Sequence, residues 1–240
     1  MSPAARRPAH PVGGPGHEAV DEFGFPVLAD LAVPAGNSQR KRDAIIAAAL
    51  AVFAEEGYSA ASVDAIAARA GVSKPTIYNH FGNKERLFLA VVAGTLPTAF
   101  SHLTGPVAEL RECTDLREGF LKLGRAMAEA VTDDEVMRLR RLVIGEVDRF
   151  PQLGDLWLRL GPAWFNTEVV AAFADLVEQG RLRMDDLDVA ARQLTALTVG
   201  VPQLQRTFRP DLAVPAEVLA HQVESGVDVF LAAYGVPPAT

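Results

Sequence analysis

Between Ser62 and Phe81, two short helical patterns are separated only by Gly71-Val72-Ser73, and this restricts the chain more than any other stretch. Ser62 is a favoured helix start because its hydroxyl can accept a backbone N–H that the first turn leaves without a partner. Val63, Ile66, Ala67 and Ala70 follow at helical spacing. Gly71 suits the left-handed backbone that stops a helix, and Val72 can plug the angle between the two helices. Ser73 caps the next helix, with Pro75 in its first turn, where a missing N–H is harmless. Ile77 and Phe81, four apart, are expected to face a core against Ala67 and a preceding helix. Thr76, Tyr78, Asn79 and His80 are left to project outward. Two helices on so short a turn form a helix-turn-helix, whose second helix lies in the major groove of duplex DNA. A hydroxyl, a phenol, an amide and an imidazole suit phosphate contacts and base-edge hydrogen bonds.

The flanks extend this pattern. A first helix is predicted from Gln39 to Glu56, with the apolar stripe Ile45, Ile46, Ala49, Leu50, Val52 and Phe53, and Gly57 as its stop. Asn83 caps a fourth helix that runs through Leu87, Phe88, Val91 and Val92 toward Phe100. Lys84 falls in its first turn, where a charge and free N–H groups can hold one phosphate. Ser62, Ser73, Lys74 and the cluster Arg40, Lys41 and Arg42 complete the expected DNA-contacting set.

The net charge of −7 argues superficially against a nucleic-acid partner, but its distribution reverses the argument. Residues 39–90 carry 7 Lys/Arg against 5 Asp/Glu, whereas residues 91–240 carry 14 against 21. An acidic bulk behind a mildly basic face orients a molecule toward a phosphate backbone. A length of 240 residues fits a small domain plus a larger one. No apolar run reaches the roughly 18 residues of a membrane span, and Met1 to Gly16 lacks the apolar centre of a signal peptide. These readings predict a soluble, cytoplasmic protein. Cys113 is the sole cysteine, which excludes an intrachain disulfide or a cysteine-based zinc site and predicts a small, buried or partly buried side chain.

Residues 1–37 are rich in proline and glycine and have no sustained periodicity, so they read as a disordered arm. Arg6 and Arg7 belong to a solvated tail on this reading, with DNA contact as the alternative. From Gln39 onward helical patterns follow one another without a convincing alternating strand, so the fold class is all-α. Further helices are predicted near 115–131, 133–149, 152–160, 163–180, 185–205 and 215–234. The last two carry apolar stripes: Leu187, Ala191, Leu194, Leu197, Thr198 and Val201 on one, Val218, Leu219, Val223, Val227, Phe230 and Leu231 on the other.

Residues 43–88 resemble the DNA-binding domain of the TetR (tetracycline-repressor) family of bacterial regulators. The matching residues are Ala48-Ala49, Phe53, Gly57-Tyr58, Ser62-Val63, Ile66-Ala67, Ala70-Gly71-Val72-Ser73, Thr76-Ile77-Tyr78, His80-Phe81, Lys84-Glu85 and Leu87. The segment Leu139 to Glu146, followed by Arg149-Phe150-Pro151, is similar to stretches in drug-efflux-type regulators of the family. The resemblance implies a homodimer with a DNA-binding part at 38–83 and a ligand-binding and dimerisation part at 84–236. It also implies a four-helix dimer interface from the two final helices, which places Leu194, Leu197, Val201, Val223, Val227 and Phe230 there.

A repressor released from a pseudo-palindromic operator by a small apolar or amphipathic molecule is the function this implies. Phe100, Phe120, Met127, Met137, Trp157, Trp164, Phe165 and Phe173 are the candidate pocket residues, since methionine and aromatic side chains line adaptable apolar cavities. Taken singly, each fits ordinary core better. Arg140, Arg141 and Glu146 belong to a solvated face or structural ion pairs, with polar anchors for that ligand as the alternative. A DNA-binding dimer without inducer, controlled by a protein partner, is the alternative function. No cofactor or metal is expected. His10, His17, His80, His102 and His221 are scattered, and neither a phosphate-binding glycine loop nor a nucleophile elbow occurs, so the chain does not read as an enzyme.

Overall fold

The computed structural model describes residues 37–236. The reading of residues 1–37 as a disordered arm, Arg6 and Arg7 included, therefore lies outside the described residues, save for Asn37, which begins the first helix. Among the described residues the elements are α1 (Asn37–Ala60), α2 (Val63–Ala70), α3 (Lys74–Phe81), α4 (Lys84–Phe100), α5 (Thr104–Glu112) and α6 (Leu116–Thr132). They continue with α7 (Asp134–Glu146), α8 (Gln152–Leu158), α9 (Trp164–Glu178), α10 (Leu187–Phe208) and α11 (Ala216–Tyr234). The only β-type pairing among them is an isolated antiparallel bridge between Leu182 and Gly235. The fold is all-α.

The stripe read from the sequence buries Ile45, Ala49, Leu50, Val52 and Phe53 of α1, which packs on α2 and α4. Gly57 breaks the helix as expected: its φ of 77° and ψ of 159° are not helical, and the chain turns before Tyr58. Burying each such side chain contributes about 1.5–3 kcal/mol, which is what holds helices as short as α2 and α3 in place.

Three features were not anticipated. Helix α5 lies between the predicted helices and contains Gly105 and Pro106. Pro106 lies in the first turn of α5, where no intrahelical N–H is required, and a 3-10 turn at Ser101–Leu103 carries α4 into it. The helical run over residues 84–112 is long and apolar enough to meet the requirement for a membrane span, contrary to the sequence reading; half of its most apolar window is buried inside the protein. Gly161-Pro162 does not separate α8 from α9 by a loop. A π-helical turn, Arg159–Ala163, absorbs the proline, which has no N–H for the regular ladder.

The second half is built around α6, whose Phe120 meets Phe173 of α9 at 5.9 Å and Phe230 of α11 at 5.2 Å between ring centroids. Helices α10 and α11 cross closely at Gly226: a Cβ there would lie 2.7 Å from the Leu197 carbonyl oxygen. Gln222 Nε2 donates to that same oxygen at 2.6 Å. The chain end is tied back, with Arg183 N–H donating to Tyr234 O at 2.8 Å and Val236 N–H to Arg181 O at 3.0 Å. Cys113 is half-buried, its thiol 3.2 Å from Leu110 O.

Candidate nucleic-acid interface

Helix α2 begins at Ser62, whose Oγ accepts from Ala65 N–H at 3.0 Å. It ends at Gly71, with φ 65° and ψ 32°, and Val72 N–H closes back onto Ala67 O at 3.0 Å. This i to i−5 bond with a left-handed glycine is a Schellman stop, and it sends the chain into α3 after only two more residues. Ser73 caps α3, accepting from Thr76 N–H at 3.3 Å, and the Ser73 and Thr76 hydroxyls lie 2.8 Å apart.

Only Ile77 and Phe81 of α3 are buried, at 1% and 5% exposure. Tyr78 is 42% exposed, Asn79 is exposed, and Thr76 and His80 are half-buried at the margin. A helix with a narrow apolar seam and an open polar face, mounted on a glycine-hinged turn, has the shape that enters a major groove.

The cations do not all behave as the sequence implied. Arg40 and Lys41 are exposed. Arg42, read with them as one cluster, is turned inward: it is 8% exposed and its guanidinium carbon sits 4.7 Å from the centre of the Phe81 ring. Burial holds its pKa below the ordinary arginine value, an effect that Asp43 partly opposes. Lys74 is paired with Asp64 at 2.8 Å. Lys84 is folded back, its ammonium 4.5 Å from the Tyr58 ring centre and donating to Ser59 O at 3.3 Å. Burial and the neighbouring Arg149 lower its pKa. The Lys84 ammonium is thus engaged within the fold. Sequence spacing fixes where a lysine starts, not where four rotatable bonds take its charge.

Two profile matches cover most of the described chain. Residues 45–91 match "Bacterial regulatory proteins, tetR family" and residues 118–236 match "AefR-like transcriptional repressor, C-terminal domain". A solved TetR-family transcriptional regulator from Mesorhizobium loti is 33% identical and superposes with a TM-score of 0.80, covering 84% of this chain and 100% of that one. The chain belongs to the TetR family. Another solved TetR-like structure, the flavonoid-responsive regulator FrrA, is 30% identical with a TM-score of 0.69, covering 83% of this chain and 99% of that one. The transcriptional activator FasR of Mycolicibacterium smegmatis is 40% identical over 108 residues, 42% of this chain and 46% of FasR. The chain thus matches about half the length of such curated relatives. TetR-family proteins are transcriptional regulators, not enzymes.

In this TetR-family chain the expected pocket residues are mostly core. Phe120, Met127, Met137 and Phe173 are at most 2% exposed, Phe100, Trp157 and Phe165 are each 8% exposed, and Trp164 is half-buried. Phe100 packs on the π turn, where a Cβ at Gly161 would meet its ring at 3.2 Å. Arg140 lies 5.8 Å from the Trp157 ring centre and donates to Thr207 Oγ1 at 3.0 Å, while Arg141 donates to Arg206 O at 3.0 Å. Both arginines therefore tie α7 to the end of α10. A half-open cleft of about 1140 Å³ lies elsewhere, between α1, α4 and α6, with Ile46, Leu50, Thr95, Ala99 and Glu129 in its walls.

The expected dimer residues need correction. Leu194, Val223, Val227 and Phe230 are at most 1% exposed within the one chain. They join α10 and α11 to their own subunit and have no surface left for a second copy. Val201 is 52% exposed and Leu197 half-buried. Leu204 at 56% and Phe208 at 74% continue their face along α10, and Val218 and Val229 are open on α11. The signal for this outer face was the spacing 197, 201, 204, 208, a second helical stripe beside the inner one.

Proposed function

We propose that the protein is a homodimeric repressor that holds a pseudo-palindromic operator with α3 of each subunit and releases it when a small apolar or amphipathic molecule binds. Residues 38–83 form the DNA-binding part, residues 84–236 the effector and dimer part, and the site of action is the bacterial cytoplasm. The open polar face of α3, carrying Thr76, Tyr78, Asn79 and His80 above the buried Ile77 and Phe81, carries this reading. Arg40, Lys41, Ser62, Ser73, Lys74 and the start of α4 at Lys84 flank it as phosphate contacts. The exposed apolar stripe of Leu197, Val201, Leu204 and Phe208 supports the dimer.

The sign of regulation rests on the C-terminal half, whose profile describes a repressor, whereas the match to the activator FasR spans a smaller share of the chain. The flavonoid-responsive FrrA supports an apolar, aromatic class of effector. An effector that prefers the DNA-incompetent arrangement shifts operator affinity by about 5–150-fold for a coupling of about 1–3 kcal/mol. The test is transcription in vitro from a promoter carrying a bound duplex. Addition of the protein lowers transcript, and an aromatic effector restores it; transcript that is unchanged, or that rises with protein, defeats the repressor reading.

A second reading, a DNA-binding dimer controlled by a protein partner, is favoured by one observation. The Phe120, Phe173 and Phe230 rings are all fully buried with centroids no more than 5.9 Å apart, so that part of the core is filled. Under this reading no compound of an apolar panel changes duplex affinity.

A further inference from the structure

Tyr58 stands just past the Gly57 break, at the end of the helix that carries α2 and α3, and is only 6% exposed. Its ring stacks on Phe88 of α4 with centroids 5.0 Å apart and planes at 23°. The link after α7 comes in from the other side. Phe150 sets its edge against the same ring at 5.0 Å and 73°, and the Arg149 guanidinium carbon lies 5.6 Å from the ring centre. Arg149 Nη1 is also 3.4 Å from Ser59 Oγ. Lys84 closes the group from the start of α4, as described above. Burial raises the Tyr58 pKa, with Glu85 and Glu146 adding to the rise and Arg149 opposing it. The two cations and three aromatic rings thus meet at one junction, with the Tyr58 ring buried at its centre and Arg149 at its solvent edge.

The position of this junction matters more than its strength. The connection from α3 to α4 passes through Gly82, with φ 77°, so rotation of the first three helices about α4 is resisted by side-chain packing, chiefly of α1 on α4 and α7, rather than by the backbone link. The end of α1 meets the start of α4 where Tyr58 stacks on Phe88. A contact there from the α7–α8 link opposes the rotation.

We infer that Arg149 and Phe150 are positioning residues for operator binding: seated on Tyr58 and Ser59, they fix how α3 is held relative to the dimerising helices, and so set the half-site spacing the dimer accepts. The inference rests on the reading of the protein as a dimer that grips two half-sites. Each base pair inserted between half-sites moves them by about 3.4 Å and rotates them by about 34°. A dimer with pinned recognition helices rejects such a change, and one with loosened helices follows it.

The experiment measures affinity, at one salt concentration, for a selected duplex and for versions with one or two base pairs added or removed between half-sites. Three proteins are compared: the wild type, Arg149→Gln, and Arg149→Gln combined with Phe150→Leu. Arg149 is exposed, so its single replacement leaves the fold intact, which thermal unfolding verifies. The wild type is expected to lose about tenfold or more per base pair of altered spacing. The variants are expected to lose no more than about threefold while holding the best duplex nearly as well, and Arg149→Lys, which keeps a cation at the ring, is expected to regain part of the selectivity. Folded variants with the full wild-type spacing penalty overturn the inference alone. A wild type that binds no two-half-site duplex overturns the dimer reading and this inference with it.

Discussion

Replacing Phe81 by alanine and, separately, Tyr78 by alanine should divide the roles of α3 cleanly, because the first side chain is buried and the second is open. Phe81 is 5% exposed, is one of only two buried side chains on α3, and carries the Arg42 guanidinium 4.7 Å from its ring centre. Truncating a buried phenylalanine costs about 3–5 kcal/mol. Loss of the cation–π contact adds about 0.5–2 kcal/mol and leaves the buried Arg42 charge without its cover. Against a total stability of about 5–15 kcal/mol, this is roughly a quarter or more. Tyr78 is 42% exposed, and its truncation changes stability by no more than about 0.5 kcal/mol. As an outward contact to DNA it contributes about 1–3 kcal/mol, a loss of roughly 5–150-fold in operator affinity. Thermal unfolding by circular dichroism and fluorescence anisotropy with one labelled duplex read the two quantities. Phe81→Ala lowers Tm by many degrees; Tyr78→Ala leaves Tm in place and weakens binding. A Tyr78→Ala protein with wild-type affinity, or a Phe81→Ala protein with wild-type Tm, refutes the assignment of the two faces.

Other expectations concern the helical body. Gly226→Ala pushes a methyl group to 2.7 Å from the Leu197 carbonyl, where backbone cannot yield, and should cost about 1–3 kcal/mol in denaturant unfolding; an unchanged midpoint contradicts the close crossing of α10 and α11. Phe208→Asp, at a site 74% exposed, should give folded monomers in sedimentation, whereas Val227→Asp, at 0%, should unfold the subunit rather than dissociate it. A dimeric Phe208→Asp protein moves the interface elsewhere. Arg117 holds Asp228 through bonds of 2.7 and 3.2 Å, and the bond from Arg117 depresses the Asp228 pKa. A depressed carboxylate adds stability that is present above its unfolded pKa of about 4 and is lost as pH falls through the folded value. Arg117→Gln should therefore lower Tm slightly at pH 7 and converge with the wild type at acid pH; a difference that grows on acidification contradicts the sign.

The turn from α2 to α3 was legible because every part of it is local: Ser62, Gly71 and Ser73 act on their own backbone, and Ile77 and Phe81 are related by one helical turn. Helix α5 was hidden because Gly105 and Pro106 break a helix in its middle but are harmless at its start. The π turn at Gly161-Pro162 likewise depends on neighbours, since Phe100 fills the space that a side chain at 161 would need. On α10 and α11 the apolar period showed that both helices bury a face. It could not show against what, and Leu194, Val223, Val227 and Phe230 turned out to face their own subunit. Charged side chains were the least legible. Arg42, Lys74 and Lys84 all looked free for phosphate, yet the Phe81 ring, Asp64 and the Tyr58 ring hold them, and none of those partners is within the reach of a local sequence rule.

Selecting bound sequences from a pool of random duplexes addresses the central claim most directly. The account predicts enrichment of a pseudo-palindrome whose half-sites are related by about 10–10.5 base pairs or a multiple of it, with enrichment lost when Tyr78 and Asn79 are both replaced by alanine. A pool that stays random at low salt, or an enriched site without two-fold symmetry, would contradict it.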